Sequence, residues 1–202
     1  FWNNKFKAVP GQIFFSREEN KKADMVISEA VKYWKYKNKH NFKSIIFYEP
    51  CSTKKNDKQF GIKQLNKDWG TNNWNNLALK LKNQYLLIQS SHSEANIMEG
   101  VFKPENLNFR EACAVLNKCN LYVGLEGGFV QAAAALNKKA VVYFGGWIDP
   151  KIIGYDFHEN IYYNNEKSPC GEYKSLCSHC EDARKAITVD FFYKKMTKTL
   201  TF

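Results

Sequence analysis

Five short apolar segments alternate with helix-like segments along this chain of 202 residues, and this order constrains its fold more than any other feature. A strand that is apolar on both faces suits a parallel sheet that is covered by helices on both sides. The sequence therefore predicts an α/β fold, a Rossmann-like parallel sheet with helices on both faces, in which ligands bind beyond the carboxyl ends of the strands. The predicted strands cover residues 44–48, 85–89, 121–123, 140–144 and 161–163.

Helical spacing of apolar residues separates these strands. In the first helical segment, residues 16–37, Ser16 and Glu19 form a capping-box pattern, and apolar residues then recur from Ala23 to Trp34. The apolar runs are all shorter than the ~18 residues that a membrane-spanning helix needs. The other predicted helices cover residues 72–81, 109–117, 129–136 and 188–199.

The chain carries a net charge of +10, from 30 Lys and Arg against 20 Asp and Glu. Such an excess attracts polyanions, which include nucleic acid, an anionic membrane face and phosphorylated small molecules. No predicted helix concentrates basic residues on one face, so we do not expect nucleic acid as a partner. The basic surface remains compatible with peripheral association with a membrane.

A glycine-rich stretch, residues 124–128 (Gly-Leu-Glu-Gly-Gly), joins the third strand to the following helix. Glycine lets a ligand approach the backbone closely, and the N-terminus of a helix favours phosphate. The stretch therefore predicts a phosphate cradle, with a simple tight connection as the alternative. A carboxylate repels phosphate, so we expect Glu126 to accept hydrogen bonds from a sugar hydroxyl or from amides of the turn.

Residues 109–146 resemble the core motif of glycosyltransferase family 9, the ADP-heptose:lipopolysaccharide heptosyltransferases and their relatives. The resemblance is carried by the helix at 111–116, the glycine turn, the alanine-rich helix at 132–136 and a strand that ends in Phe-Gly at 144–145. It extends over residues 43–195. Glu126 stands where the family usually has Asp, and Gln131 where it usually has His, so the identity of the donor stays open.

The resemblance also implies roles for upstream residues. Ser52 and Thr53 would donate hydrogen bonds to the diphosphate, Lys67 would supply a compensating cation, and Glu94, with His92 as second candidate, would contact the nucleotide or sugar. A positioned cation suits a pyrophosphate leaving group, which gains charge as the glycosidic bond breaks. The implied donor-binding residues are Ser52, Thr53, Lys67, Glu94, Glu126, Gly127, Gly128 and Gln131.

Four further side chains accompany this pattern. Trp69 and Trp74 have the family's spacing and are expected to pack in the core. Asp156 and His158 follow the fourth predicted strand and are candidate polar contacts at the mouth of the nucleotide pocket.

The resemblance implies one half of a GT-B architecture. Residues 1–42 would be a linker and helix left from an N-terminal region, and residues 43–202 a nucleotide-sugar-binding domain. The implied activity is heptosyltransferase-like: transfer of a sugar from a nucleotide-diphosphate donor to a glycan or lipopolysaccharide-type acceptor, without a cofactor. This chain would carry the donor site and be cytoplasmic, at the inner face of the membrane. The family's catalytic base lies in its N-terminal domain, so none is assigned here. The alternative is a non-catalytic nucleotide-sugar-binding module that has lost the acceptor domain.

Cysteines cluster near the C-terminus, where Cys170, Cys177, His179 and Cys180 read Cys-x6-Cys-x-His-Cys. Thiolates and imidazole could hold zinc tetrahedrally. The sequence lacks a second paired knuckle, and the spacing matches no strong zinc module. A metal site, a disulfide and unpaired thiols therefore all remain open. The ordinary cysteine density favours a reduced cytosolic location.

Overall fold

A computed structural model describes residues 7–50, 66–89, 97–172 and 175–201. Its elements confirm the predicted alternation of strands and helices. They are α1 (Arg17–Lys37), β1 (Ile45–Glu49), α2 (Thr71–Leu81), β2 (Leu86–Ile88), α3 (Phe109–Lys118), β3 (Leu121–Leu125), α4 (Gly128–Ala135), β4 (Ala140–Gly145), α5 (Pro150–Ile153), β5 (Glu159–Tyr162), α6 (Ser178–Ala186) and α7 (Val189–Leu200).

The strands form one parallel sheet in the order β2-β1-β3-β4-β5, which confirms the Rossmann-like α/β class. From β1 the chain winds outward to β2 on one side, and β3, β4 and β5 then follow on the other side. The winding direction reverses between β1 and β3. A crevice opens beyond the carboxyl ends of strands at such a reversal, and ligands of open α/β sheets bind there.

Helices cover both faces of the sheet. On one face, α1 packs on α3 through a buried stripe that includes Ala23, Val26, Ala30 and Trp34. The predicted capping box starts α1: the Ser16 hydroxyl accepts from the backbone N–H of Glu19 at 3.2 Å, and the Glu19 carboxylate accepts from the backbone N–H of Ser16 at 2.8 Å. In the described ranges 7–50, 66–89, 97–172 and 175–201, no helix combines the length and apolarity needed to cross a bilayer.

An aromatic cluster fills the other face, and its centre is Trp69. The Trp69 ring stacks on Phe192 of α7, with ring centroids 4.8 Å apart, and meets Trp74 of α2 edge-on at 4.9 Å. Its indole N–H donates to the Ile187 carbonyl at 2.8 Å. Trp69 and Trp74 are fully buried, which confirms that they are packing residues. The cluster fixes the segment just before α2 to the C-terminal part of the chain.

β3 is longer than the sequence indicated, and this corrects the extent of the glycine turn. The strand runs through Leu125, so Gly124 is a strand residue that pairs with Glu49 of β1 and Val142 of β4. A Cβ on Gly124 would lie 2.4 Å from the Glu49 carbonyl oxygen and 2.7 Å from the Tyr122 hydroxyl. Glycine is needed there because β1 approaches closely, and the turn itself is shorter than 124–128.

Two helices were not predicted. α5 has only four residues, too few to show a periodicity, although Asp149 caps it and Pro150 opens it. α6 begins inside the cysteine-rich segment. Its buried face includes His179 and Cys180, whose spacing in the sequence indicates candidate metal ligands and not a helix.

Replacing Gly124 with alanine should destabilise the fold, because the new Cβ would clash with the Glu49 backbone as well as with the buried Tyr122 hydroxyl. We expect Gly124→Ala to lower the free energy of unfolding by about 3 kcal/mol, measured by urea denaturation. Gly11→Ala is the control: a Cβ there meets nothing within 4 Å. It should change stability by less than about 0.5 kcal/mol. Equal stability of the two variants would contradict the assigned role of Gly124.

Candidate functional site

A pocket of about 260 Å³ lies beyond the carboxyl ends of β1 and β3. Glu49 ends β1 and Leu125 ends β3, so the pocket occupies the point where the winding of the sheet reverses. Its lining residues are Glu49, Lys67, Tyr122, Leu125, Glu126, Gly127, Gly128 and Phe129.

A larger cavity of about 390 Å³ lies elsewhere, between α1 and residues 102–106. Phe102 forms a bridge with Ile88 of β2, so this cavity lies at the edge of the sheet. It contains none of the predicted donor-binding residues. Position at the winding reversal identifies the smaller pocket as the candidate site.

The turn between β3 and α4 consists of Glu126 and Gly127. Gly127 is the N-cap of α4 and no side chain caps the helix there. The first N–H groups of a helix lack partners within the helix and form a favourable anion site. A Cβ on Gly127 would meet nothing within 4 Å, whereas one on Gly128 would touch Phe109 at 3.4 Å. The structure thus places both predicted glycines at the pocket wall, with open space beside Gly127.

Lys67 and Glu126, which are 59 residues apart in the chain, meet inside this pocket. The Lys67 ammonium donates to the Glu126 carbonyl oxygen at 3.2 Å and lies 3.4 Å from its carboxylate Oε2. The two side chains are 18 % and 15 % exposed. The predicted partners of Glu126 were a sugar hydroxyl or turn amides, and its protein partner is instead Lys67. An ammonium has three donors, so these contacts leave capacity for a further acceptor.

The residues on either side of Lys67 are held by hydrogen bonds. The buried Asn66 amide donates to the carbonyls of Glu172 and Ser175 at 3.1 and 2.9 Å, and its oxygen accepts from the backbone N–H of Cys177 at 3.0 Å. On the other side, the Asp68 carboxylate accepts from the Trp74 indole at 3.2 Å. Burial raises the pKa of Asp68, although hydrogen bonds from the Gly70 backbone N–H and the Trp74 indole oppose the rise. Lys67 is therefore presented to the pocket from an anchored segment.

Sequence reasoning missed several pocket residues. Glu49 directly follows a predicted strand, and its place at a carboxyl end was a usable signal. Tyr122 gave no such signal because it lies within the strand. Its buried hydroxyl donates to the Leu125 carbonyl at 2.8 Å and so stabilises the end of β3, just before the turn. Burial raises the pKa of Tyr122 well above its usual range, so it stays protonated.

Of the remaining predicted contacts, Gln131, Asp156 and His158 are described by the structure and do not line the pocket. The Gln131 amide donates to the Ile153 carbonyl at 3.2 Å, and its oxygen accepts from the Tyr155 hydroxyl at 2.6 Å, which links α4 to the segment after α5. Asp156 forms an exposed ion pair with Lys7 at 3.4 Å. A ligand contact for Gln131 stays a prediction. Four predicted residues lie outside the described residues: Ser52, Thr53, His92 and Glu94.

The three C-terminal cysteines come together. The sulfur atoms of Cys170, Cys177 and Cys180 all lie within 4.8 Å of one another. Burial raises the pKa of Cys170 and Cys180. Burial also acts to raise the pKa of Cys177, but hydrogen bonds from surrounding thiols and backbone N–H groups outweigh it and lower that pKa. His179 points elsewhere, because its Nε2 lies 2.8 Å from the Ser168 hydroxyl.

His158 is buried and does not line the pocket. Its ring meets Phe157 edge-on at 4.5 Å, and neither ring nitrogen has a hydrogen-bonding partner among the described residues. Burial lowers the pKa of His158 to about 4, against a smaller opposing effect of the Val130 backbone. The imidazole is therefore neutral in the folded protein at neutral pH.

This burial predicts a loss of stability in acid. Below its ordinary pKa of 6.5 the unfolded histidine takes up a proton, while the folded one stays neutral until about pH 4. Between about pH 7.5 and pH 5 we expect His158 to lower the free energy of unfolding by about 2 kcal/mol. Urea denaturation at both pH values should show this loss in the wild type and a smaller loss in His158→Phe. The same loss in both proteins would contradict the assignment.

No protein-family sequence model matches the chain, and no curated protein matches it by sequence. By structure it is similar to E. coli ADP-heptose LPS heptosyltransferase II, with a TM-score of 0.60 and 16 % identity, over 94 % of this chain and 53 % of that one. It is also similar to a glycosyl transferase family 9 protein from Veillonella parvula DSM 2008, with a TM-score of 0.61 and 13 % identity, over 96 % and 55 % of the two chains.

A third similar structure is the iron-containing dodecameric glycosyltransferase TibC from enterotoxigenic E. coli H10407, with a TM-score of 0.56 and 12 % identity, over 81 % of this chain and 48 % of that one. The chain spans about half the length of these solved proteins. At such identities the likeness concerns the fold, and it confirms the resemblance found in the sequence: this chain has the fold of heptosyltransferases and of glycosyltransferase family 9.

Proposed function

We propose that this chain binds a nucleotide-diphosphate sugar in the pocket between β1 and β3 and supplies the donor site of a glycosyltransferase. One observation carries the proposal: the Lys67 ammonium and the N-terminus of α4 face the same pocket at the winding reversal of the sheet. The fold is consistent with this function. A heptosyltransferase of this fold, TibC, has been solved in complex with ADP-D-β-D-heptose.

The diphosphate would lie against the turn. Backbone N–H groups at the start of α4 would bind phosphate oxygens, and Lys67 would bridge the phosphate and Glu126. As the bond between the anomeric carbon and the phosphate oxygen breaks, negative charge grows on the leaving diphosphate, and the positioned ammonium stabilises it. The acceptor hydroxyl oxygen forms the new bond to the anomeric carbon and gives up its proton to a general base, and the nucleoside diphosphate leaves.

Carboxylates in the pocket favour a sugar beside the phosphates. Glu49 and Glu126 both line it, so beside the bound diphosphate a neutral sugar is favoured over a second anionic group, which these carboxylates would repel. A carboxylate accepts hydrogen bonds well from sugar hydroxyls. In this proposal the second oxygen of Glu126 binds such a hydroxyl, in agreement with the expectation drawn from the sequence. The acceptor is a glycan or a lipid-linked glycan.

Removing the Lys67 charge should weaken binding of a nucleoside diphosphate. A charge-assisted hydrogen bond contributes about 1.5–3 kcal/mol, so Lys67→Gln should raise the Kd for ADP or UDP about 10- to 100-fold, measured by calorimetry. Lys118→Gln is the matched control. Lys118 is the last residue of α3 and precedes the start of β3, so it lies near the amino ends of the strands, away from the pocket at their carboxyl ends. It should bind as the wild type does.

Two results would overturn parts of this proposal. If the wild type binds neither ADP nor UDP, the pocket is not a nucleoside-diphosphate site. If it binds ADP-heptose or another nucleotide sugar but releases no sugar to water or acceptor, the alternative of a non-catalytic nucleotide-sugar-binding module is favoured.

Glu126→Gln separates sugar binding from phosphate binding. Neutralising this carboxylate removes a repulsion, so ADP should bind at least as tightly as to the wild type. The hydrogen bond to a sugar hydroxyl changes from a charged to a neutral acceptor, a loss of about 1 kcal/mol. The ratio of the Kd for ADP-heptose to the Kd for ADP should therefore rise about fivefold. An unchanged ratio would exclude contact between Glu126 and the sugar.

A further inference from the structure

The C-terminal cysteines converge from the segment after β5 and from the start of α6. Cys170 follows β5, Cys177 is the N-cap of α6, and Cys180 lies in the first turn of α6. Their sulfur atoms lie within 4.8 Å of one another, and Cys180 is buried while the other two are half-buried. In a tetrahedral site with metal–sulfur bonds of about 2.3 Å, two sulfur ligands lie ~3.8 Å apart. One metal ion can therefore reach all three sulfurs after small side-chain adjustments.

The cysteine backbones are held independently of any bond to sulfur. The N–H of Cys170 donates to the Gly146 carbonyl at 3.0 Å, just beyond β4. The N–H of Cys177 donates to the side-chain oxygen of Asn66 at 3.0 Å. Because these hydrogen bonds tie both segments to the body of the protein, the three thiols stay together without a covalent link.

Three thiols suit a metal better than a disulfide. A disulfide would use two of them, most readily Cys170 and Cys180, whose sulfurs are 3.1 Å apart. It would leave the Cys177 thiol beside it without a covalent partner. A metal ion uses all three as thiolates, and soft thiolate ligands select zinc and iron over magnesium or calcium.

We propose that Cys170, Cys177 and Cys180 together bind one thiophilic divalent metal ion, zinc or ferrous iron, through their three sulfur atoms. The fourth coordination position is left to water or another small ligand, since the His179 ring is bound to Ser168. This site lies apart from the pocket between β1 and β3, and the proposal does not depend on donor binding there.

The bound metal would have a structural role. The segment between Cys170 and Cys177 holds the Asn66 amide through the carbonyls of Glu172 and Ser175. A metal that closes this segment onto α6 restrains the residue next to Lys67. Metal binding thus stabilises the part of the fold that presents Lys67 to the pocket.

Metal analysis of the whole chain tests the proposal. Protein purified without chelator from cultures supplied with zinc or with iron should contain about one metal ion per chain by mass spectrometry of the elements. The two cultures distinguish the metals. Cys170→Ala, Cys177→Ala and Cys180→Ala should each lose most of the metal. Cys113→Ala is the control, because this buried thiol lies in α3, outside the cluster; it should keep the metal.

If the variants fold poorly, two measurements on the wild-type protein still test the proposal. Chelated protein titrated with cobalt should develop thiolate-to-cobalt absorption in the near ultraviolet, and removal of the metal should lower the Tm by about 5 °C or more. Metal-free wild type that takes up neither zinc, iron nor cobalt would overturn the proposal. So would a Cys170–Cys180 disulfide in protein purified under reducing conditions, or full metal content in all three variants.

Discussion

β1 and β3 pair in parallel from Ile46 and Leu121 to Glu49 and Gly124, and at the last pair the two backbones approach so closely that only glycine fits. Everything at the candidate site follows from this approach. It places Glu49 at the rim of the pocket. β3 ends one residue later, at Leu125, and only Glu126 and Gly127 connect it to α4. The winding of the sheet reverses at the same place, so the crevice that forms there has a helix N-terminus on one wall.

The charged side chains that line this crevice determine which groups it can bind. One ammonium and two glutamates line a small, partly buried space, where charges interact more strongly than in water. A fully basic cradle would bind phosphate without regard to what is attached to it. Here Glu126 engages Lys67, so the pocket offers hydrogen-bond acceptors as well as a cation.

Strand positions were predictable because a strand buried on both faces has to be apolar throughout, as 140–144 shows. The position at which β3 ends was not predictable from the sequence. Gly124 has no intrinsic preference for a strand, and it pairs there only because β1 lies beside it. Lys67 and the glycine turn could be recognised from their resemblance to a family motif. Their contact could not, because the ion pair depends on how Trp69 and Asn66 fix a segment far away in the chain. The cysteine spacing likewise left three chemistries open, and that the sulfur atoms lie close together could be seen only from the fold.

The neighbourhood of Lys67 has an optical consequence. Its ammonium lies over the Trp147 ring, 6.0 Å from the centroid, and the Trp147 indole N–H donates to the Glu172 carbonyl at 3.3 Å. Tryptophan emission responds to a nearby charge, so any ligand that draws the ammonium away from this ring alters the fluorescence of Trp147. The pocket therefore carries its own spectroscopic reporter, without a label.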